Sequence, residues 1–245
     1  MSDIRADEVK PGDGIMFIID IDGTISNGEQ SLLHFYNDDL RIGVDPVTIT
    51  ALTRYAAFFD LPQVQAFCEC IEMPRRLFEA SRERAITRPE IVSQFAIIPG
   101  AVEALRQLAA RDAICYYTVR KPEVEETTRQ WLEQHEFPHP HQVVMCRSVL
   151  GKLRQLYERE QSSSERFILI DDRVTQMIDE YNKLASGNYQ QMLPQWREIA
   201  TFLQTRVTLV AFGVPSISIH PSLQLATLAS WDHIDHIVAL SSHFI

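Results

Sequence analysis

Residues 15–24 read IMFIIDIDGT, a run of five apolar residues followed by two aspartates at Asp20 and Asp22. The apolar run lies between Gly14 and Gly23 and is rich in isoleucine. This pattern is typical of a strand covered on both faces in a parallel α/β sheet. In open sheets of this class, ligands bind beyond the carboxyl ends of the strands. Both aspartates are therefore candidate site residues, although an aspartate at a strand exit can also form a turn or cap a helix.

Four further apolar runs predict the other strands of the sheet: residues 113–117, 142–146, 167–170 and 208–212. Each run except the last is followed by a helical pattern, such as the one that Pro122 opens after the second strand. Strands that alternate with helices pair in parallel through right-handed crossovers. The sequence therefore predicts an α/β fold with a doubly wound parallel sheet.

The connection between the first two strands is about 90 residues long, which is far more than a single crossover helix needs. Residues 25–98 contain apolar and aromatic clusters separated by prolines, without strand-type alternation. We expect this segment to be a small α-helical cap inserted into a core made of residues 1–24 and 99–245. A cap above the two aspartates would exclude water from a reaction, whereas an insertion without a catalytic role is the alternative.

Four arginines of the predicted cap, Arg75, Arg76, Arg82 and Arg84, have two interpretations. They could contact the remote groups of a substrate that is bound beneath the cap. They could equally form a solvated helix face, which is the ordinary role of such charged runs. The sequence alone favours the solvated face.

Composition and charge limit the class of partner. The chain has 245 residues, of which 45% are hydrophobic and 23% are charged, as is usual for a globular protein. Its net charge of −10 repels polyanions, so a nucleic acid is not the default partner, although a local basic surface would keep it possible. The N-terminal residues lack the profile of a signal peptide, and no apolar stretch reaches membrane-spanning length. We expect a cytoplasmic protein without a membrane partner and with an oligomeric state that the sequence does not indicate.

Three more polar groups follow the predicted strands in order. Thr118 and Arg120 end the second strand, Lys152 follows the third, and Asp171-Asp172-Arg173 ends the fourth. Each group alone is common in proteins and is often structural. Because all of them fall at strand exits, they are expected to meet Asp20 and Asp22 at one edge of the sheet.

The order of these groups resembles the four motifs of the haloacid dehalogenase (HAD) superfamily of phosphohydrolases. Those motifs are an Asp-x-Asp after the first strand, a threonine after the second, a lysine and an acidic pair. The resemblance covers residues 15–24 and roughly 95–215. It implies a Rossmann-like core with a cap. It also implies a Mg²⁺-dependent phosphatase that hydrolyses a phosphomonoester, namely a small phosphorylated metabolite or a nucleotide, through an aspartyl phosphate.

The resemblance also implies roles for individual residues. Asp20 would attack phosphorus, and Asp22 would protonate the leaving oxygen and then deprotonate the hydrolytic water. Thr118 would donate a hydrogen bond to the phosphoryl group, and Lys152 would supply positive charge to it.

The Mg²⁺ ligands that the resemblance implies are all oxygen atoms, as this ion prefers. Asp20 would contribute its carboxylate, Asp22 its backbone carbonyl, and the pair Asp171 and Asp172 a further carboxylate. The second acid of such a pair usually contacts the metal in this family, which favours Asp172 as the direct ligand.

The segments Thr118-Val119-Arg120 and Asp171-Asp172-Arg173 locally resemble the 3′-phosphatase domain of polynucleotide kinase, which implies that Arg120 and Arg173 contact phosphate. A nucleic-acid 3′-phosphatase is therefore one alternative, although the chain has no kinase P-loop motif. A non-catalytic HAD-like binding or regulatory protein is a second alternative. An Asp-x-Asp nucleotide-sugar transferase is a third, but it would not need Lys152 or the second acidic pair.

Overall fold

The computed structural model describes residues 14–161, 163 and 165–242. The strands within these residues are β1 (Ile15–Ile19), β2 (Ser26–Asn27), β3 (Ala96–Ile97), β4 (Ala113–Thr118), β5 (Val143–Met145), β6 (Arg166–Asp171), β7 (Val207–Phe212) and β8 (Gln224–Leu228). The α-helices are α1 (Glu29–Asp39), α2 (Pro46–Thr50), α3 (Pro62–Glu69), α4 (Pro74–Ala85), α5 (Pro89–Val92), α6 (Ala101–Ala109), α7 (Glu125–Gln134), α8 (Val149–Glu160), α9 (Val174–Ala185), α10 (Trp196–Arg206) and α11 (Ile234–Ser242). Short 3₁₀ turns cover Tyr55–Phe58, Pro122–Val124 and Trp231–His233.

The main sheet of the described chain has six strands in the order β5-β4-β1-β6-β7-β8, and every neighbouring pair is parallel. Strand β1 therefore lies between β4 and β6, and Ile19 pairs with Tyr116 on one side and Ile170 on the other. The predicted doubly wound parallel fold is confirmed. Because the three strands run in the same direction, the residues that follow them meet at one edge of the sheet.

Helices cover both faces of this sheet. On one face, Phe17 and Ile19 pack in a core with residues of α6, α7 and α11. On the other face, Ile18 packs in a core with residues of α8, α9 and α10. Successive side chains of a strand point to opposite faces, so a central strand with two covered faces must be apolar throughout. This arrangement explains the uninterrupted apolar run that precedes Asp20.

Strands β4, β6 and β7 differ from the predicted runs by one residue at one or both ends, and three other elements of the core also differ from the prediction. Strand β5 covers only Val143–Met145, one residue shorter at each end than predicted. Pro122 opens a 3₁₀ turn, and the α-helix begins at Glu125. The prediction missed β8 (Gln224–Leu228), a half-buried edge strand with neither a continuous apolar run nor clear alternation.

Residues between β1 and α6, all of which the structure describes, leave the core and return to it. The short strands β2 and β3 pair antiparallel at the base of this segment. Helices α1 to α5 then pack around their own aromatic core, which includes Tyr36, Phe58 and Phe78. Two-residue strands carry no periodic signal, which is why the sequence did not predict β2 and β3. We refer to residues 28–95 as the cap.

Both crossings between core and cap are tied to the core by a buried tryptophan. The indole Nε1 of Trp231 donates to the carbonyl oxygen of Thr24 at 2.8 Å, on the outgoing chain. The indole Nε1 of Trp131 donates to the carbonyl oxygen of Phe95 at 2.9 Å, on the returning chain. A Cβ atom at Gly28 would lie 2.7 Å from the Phe95 ring, so the two crossings also pack closely against each other. The base of the cap is therefore a fixed part of the structure.

No helix in the described part of the chain is both long enough and apolar enough to cross a membrane.

The end of α1 carries an ion pair that should make cap stability depend on pH. Asp39 accepts hydrogen bonds from Ser81 Oγ at 2.6 Å and from Arg84 Nη2 at 2.5 Å, and the Arg84 contact lowers the pKa of Asp39. A lowered pKa means that this stabilisation is complete above pH ~4 and is lost as the pH falls through the folded-state value. We expect Asp39→Asn to lower the Tm by roughly 2–4 °C at pH 7 and by less at pH 3.5. Thermal melts at both pH values check this.

The matched control is Asp38→Asn, because Asp38 is an exposed neighbour without a side-chain partner among the described residues. Its Tm should equal that of the wild type at both pH values. The prediction would be contradicted if the difference in Tm between the wild type and Asp39→Asn were larger at pH 3.5 than at pH 7.

Candidate active site

Three predicted site residues meet beyond the carboxyl ends of β1 and β6. Asp20 follows β1, Asp171 ends β6, and Lys152 lies in the first turn of α8, which Ser148 caps by accepting a hydrogen bond from Gly151 N at 2.9 Å. The Lys152 ammonium donates to Asp20 Oδ1 and to Asp171 Oδ2, each at 2.5 Å. All three side chains of the cluster are at most 7% exposed. The structure therefore brings together a nucleophile candidate, a cation and a second acid.

The buried cluster contains two carboxyl groups and one cation. Burial raises the pKa of Asp20 above its ordinary range, although Lys152 acts to lower it. Burial opposes the charge on Lys152 as well, but attraction to Asp20 and Asp171 outweighs this and raises the pKa of the ammonium. Lys152 therefore stays charged, and this single cation faces two carboxyl groups.

Asp172 adds a third acid on the open side of the cluster. Burial, followed by the neighbouring Asp171, raises the pKa of Asp172 to about 6. One carboxylate oxygen from each of Asp20, Asp171 and Asp172 can lie within 4.8 Å of the others, which suits a single cation. Hard carboxylate oxygens and uncompensated negative charge are what Mg²⁺ requires. Lys152 engages Asp171, whereas the Asp172 side chain makes no hydrogen bond or ion pair among the described residues, and its role as the direct metal ligand stays a prediction.

The turn after Asp20 holds the acidic cluster in place. The Thr24 hydroxyl donates to Asp20 Oδ2 at 3.4 Å and accepts from the Asp172 backbone N–H at 3.2 Å. Gly23 has a φ of +85°, and a Cβ atom there would lie 2.3 Å from Asp172 Oδ2. Glycine is therefore needed at this position both for its backbone conformation and for the space that Asp172 occupies.

We expect Gly23→Ala to destabilise the fold by about 2–4 kcal/mol, because it combines left-handed strain with a collision against Asp172. It should also weaken Mg²⁺ binding, since Asp172 has to move. Urea unfolding and calorimetric titration with Mg²⁺ measure the two effects.

Gly43→Ala is the matched control, because Gly43 has a φ of +84° and a Cβ atom there would meet nothing within 4 Å. It should cost only about 1 kcal/mol and leave Mg²⁺ binding unchanged. Equal effects of the two substitutions would contradict the proposed role of Asp172.

Asp22 is held away from the acidic cluster by Arg120. Arg120 Nε donates to Asp22 Oδ2 at 2.9 Å, and its Nη2 donates to Asp22 Oδ1 at 2.7 Å. The same guanidinium donates to Thr128 Oγ1 at 3.1 Å and to Ser26 Oγ at 3.1 Å, and it stacks on the ring of Phe95. Arg120 is only 4% exposed.

The predicted contact of Arg120 with phosphate competes with contacts inside the protein. The sequence resemblance assigned Arg120 to phosphate, but the protein itself accepts four of its hydrogen bonds. A guanidinium has five N–H donors in a fixed fork, so little capacity remains for a ligand. Arg120 is the partner of Asp22 in this structure, and its contact with phosphate stays a prediction. Burial acts to raise the pKa of Asp22, but Arg120 outweighs it and lowers that pKa, so Asp22 is a carboxylate in this arrangement.

The other predicted phosphate-binding residues face the same cavity. Thr118 ends β4, is fully buried, and accepts a hydrogen bond from the Arg120 backbone N–H at 3.2 Å, which leaves its hydroxyl proton available. Arg173 donates its backbone N–H to Asp171 Oδ1 at 2.7 Å, and its side chain lies close enough to act electrostatically on Asp22 and Asp172. Both residues line the cavity together with Asp20 and Lys152.

The cavity has a volume of about 700 Å³ and lies between the core edge and the cap. Its cap wall includes Leu32, Arg82 and Ile86, and its core wall includes Arg147. The sequence did not predict that Ser26 and Thr128 support Arg120, because isolated hydroxyl residues carry no recognisable signal. It pointed to the cap arginines as a group but could not indicate which of them faces the cavity.

Neither the protein-family models nor the curated proteins contain a match to this chain. Solved structures do match. The HAD-hydrolase YfnB from Bacillus subtilis, solved with bound magnesium, superposes with a TM-score of 0.52 at 12% identity over 93% of this chain and 99% of that one.

Two other similar structures have lower TM-scores. A HAD-superfamily hydrolase from Geobacter sulfurreducens gives 0.48 at 16% identity, over 94% of this chain and 99% of that one. A haloacid dehalogenase-like hydrolase from Xanthomonas campestris has a TM-score of 0.47 at 17% identity, over 95% of this chain and 99% of that one. The comparisons do not show the local similarity to the 3′-phosphatase domain of polynucleotide kinase.

Proposed function

Because the chain has the fold of the HAD-superfamily hydrolases, we propose that it is a Mg²⁺-dependent phosphatase that hydrolyses a phosphomonoester through an aspartyl-phosphate intermediate. The observation that carries the proposal is the contact of Lys152 with both Asp20 and Asp171, with Asp172 beside them. A carboxylate at a strand end can approach a phosphoryl dianion only when positive charge lies beside it. A cation and a group of acids that binds a metal ion supply that charge.

The residues present fit a Mg²⁺ ion. Asp20 and Asp172 would hold it with carboxylate oxygens, and the Asp22 backbone carbonyl would be a further ligand. Asp171 would act mainly by fixing Lys152. When bound, the ion would neutralise charge on the phosphoryl oxygens.

In the first step, a carboxylate oxygen of Asp20 forms a bond to phosphorus while the bond from phosphorus to the ester oxygen breaks. Oδ2 of Asp20 is the freer oxygen, since its contact with Thr24 is long and Oδ1 receives the Lys152 bond. The Thr118 hydroxyl donates to a phosphoryl oxygen, and Lys152 stabilises the charge that is spread over the transferring group. The ester oxygen leaves with a proton.

Asp22 would donate that proton to the leaving oxygen in the first step and would take a proton from water in the second. Held by Arg120, Asp22 is a carboxylate and is ready to take a proton from the water that attacks the aspartyl phosphate. Protonating the leaving oxygen in the first step requires the proton-bearing form of Asp22, which Arg120 disfavours. The pair therefore has to loosen before the first step.

The test is turnover of an aryl phosphate and a panel of phosphomonoesters by the purified protein with Mg²⁺. The panel includes sugar phosphates, nucleotides and 3′-phosphorylated oligonucleotides. We expect Mg²⁺-dependent release of phosphate from at least one substrate class and its loss on chelation with EDTA. Failure on the whole panel while Mg²⁺ is bound would favour the non-catalytic binding alternative.

Activity restricted to the 3′-phosphorylated oligonucleotides would favour the nucleic-acid alternative. The chain charge of −10 and the cap above the site favour a small phosphorylated substrate instead.

A further inference from the structure

The structure gives different environments to the four cap arginines that the sequence could not separate. Arg75 pairs with Glu79 on the exposed surface of α4, and Arg84 pairs with Asp39. Arg76 is exposed and lies away from the active-site cavity. Arg82 lines that cavity. Only Arg82, of these four, is placed to meet a substrate.

The neighbours of Arg82 fix its position on α4. Ser81 is buried and bonds to Asp39, as Arg84 does. Glu83 pairs with Lys121 of the core at 3.4 Å, across the cavity mouth. Arg82 lies between these anchored residues, and within the described chain its side chain makes no ion pair and no hydrogen bond. It acts electrostatically on the Tyr36 hydroxyl of the cap.

A second guanidinium without an ion pair or hydrogen bond among the described residues lies on the core wall of the cavity. Arg147 is exposed and precedes Ser148, the residue that caps α8. Because Lys152 lies in the first turn of that helix, Arg147 and the catalytic cation belong to the same wall. The cap thus presents Arg82 to the cavity, and the core presents Arg147 in addition to Arg120 and Arg173.

The other charges of the cavity do not neutralise these two arginines. Lys152 and Arg120 are engaged by the aspartates, and Glu83 is paired with Lys121. Asp172 and Glu29 are the remaining acids among the described cavity residues. Asp172 belongs to the acidic cluster, and Glu29 is exposed at the start of α1. The cavity of about 700 Å³ is far larger than a phosphoryl group, so it has room for a substituent that reaches the arginines.

We propose that the substrate carries a second anionic group, a carboxylate or a second phosphate, which Arg82 and Arg147 bind while the scissile phosphoryl group lies at Asp20. The inference rests on the proposed phosphatase activity and narrows it to one substrate class. Arginine suits this role because its planar fork matches both carboxylate and phosphate.

The experiment compares kcat/KM for matched alkyl phosphates of two to four carbons. One series ends in a methyl group, a second in a carboxylate and a third in a second phosphate. We expect kcat/KM of at least one anionic series to exceed that of the methyl series by 10-fold or more. The anionic series with the higher kcat/KM shows whether the second group is a carboxylate or a phosphate. Equal values in the three series would overturn the inference.

Substitutions then assign the effect to the two arginines. Arg82→Ala and Arg147→Ala should each lower kcat/KM for the preferred anionic substrate by about 10- to 100-fold, and for the methyl series by less than about 3-fold. Arg76→Ala, on the same helix, is the control and should change neither value. A uniform loss across all three series in Arg82→Ala and Arg147→Ala would overturn the proposed role.

A charge reversal guards against simple damage to the fold. Arg82→Glu should reverse the preference, so that alkyl phosphates ending in an ammonium group become better substrates than those ending in a carboxylate. An unchanged preference for the carboxylate would contradict the inference. Absence of turnover of the aryl phosphate and of every phosphomonoester of the panel by the wild type would instead overturn the phosphatase itself, so the two failures are distinguishable.

Discussion

Asp20→Asn should lower kcat for phosphomonoester hydrolysis by at least about a thousandfold, because the amide cannot form the aspartyl phosphate. The substitution preserves the shape of the side chain, and the amide oxygen can still accept the hydrogen bond that Lys152 donates at 2.5 Å. The loss should therefore appear in the chemical step rather than in the fold. Single-turnover assays with an aryl phosphate, and trapping of labelled phosphate on the wild type but not on the variant, provide the measurement.

The thermal stability of Asp20→Asn should not fall with its activity. Burial penalises the charged form of Asp20, and the cluster contains more acids than cations, so a neutral side chain relieves repulsion with Asp171. We expect the Tm of Asp20→Asn without Mg²⁺ to equal or exceed that of the wild type. A variant that lost activity only together with several degrees of Tm would leave no support for a nucleophilic role.

Lys152→Met should destabilise the protein by roughly 3–5 kcal/mol and also lower kcat/KM by about a hundredfold or more. The methionine fills much of the same volume but leaves Asp20 and Asp171 facing each other without the ammonium that each contacts at 2.5 Å. Activity falls because the transferring phosphoryl group loses a fixed positive charge. Urea unfolding and steady-state kinetics measure the two effects separately.

Two further variants separate these causes. Lys183→Met removes a lysine that is 47% exposed on α9, and it should change stability by no more than about 0.5 kcal/mol. The double variant Lys152→Met with Asp171→Asn should recover part of the lost stability, since one unpaired carboxylate is neutralised, while its activity stays low. Full recovery of activity in the double variant would contradict the assignment of Lys152.

The core of the fold was predictable because its signals are local and repeated. A central strand such as Ile15–Ile19 is covered on both faces, so its residues are all apolar and can be recognised from the sequence. The edge strand Gln224–Leu228 has no such requirement, because most of its residues are only half-buried. The two-residue strands at the base of the cap are too short for any periodic pattern.

The site residues that directly follow strands could be predicted from the sequence. The contacts that depend on the direction of a side chain could not. Asp20, Lys152 and Asp171 meet because parallel strands bring their ends together. The sequence could not show that Arg120 turns toward Asp22, since that choice depends on Ser26 and Thr128, whose contacts with Arg120 only the folded chain creates. Arg82 differs from its neighbours only in the partners that the cap fold supplies.

The two indole bonds at the base of the cap determine where the cap can bend. Trp231 holds the chain at Thr24 and Trp131 holds it at Phe95, so any opening has to rotate about axes beyond these two points. Asp20 and Asp22 lie on the core side of the first point and need not be displaced when the cap rotates. Two of the three tryptophans of the chain therefore stand at the pivots, and their fluorescence is a built-in optical signal for the opening and closing of the cavity.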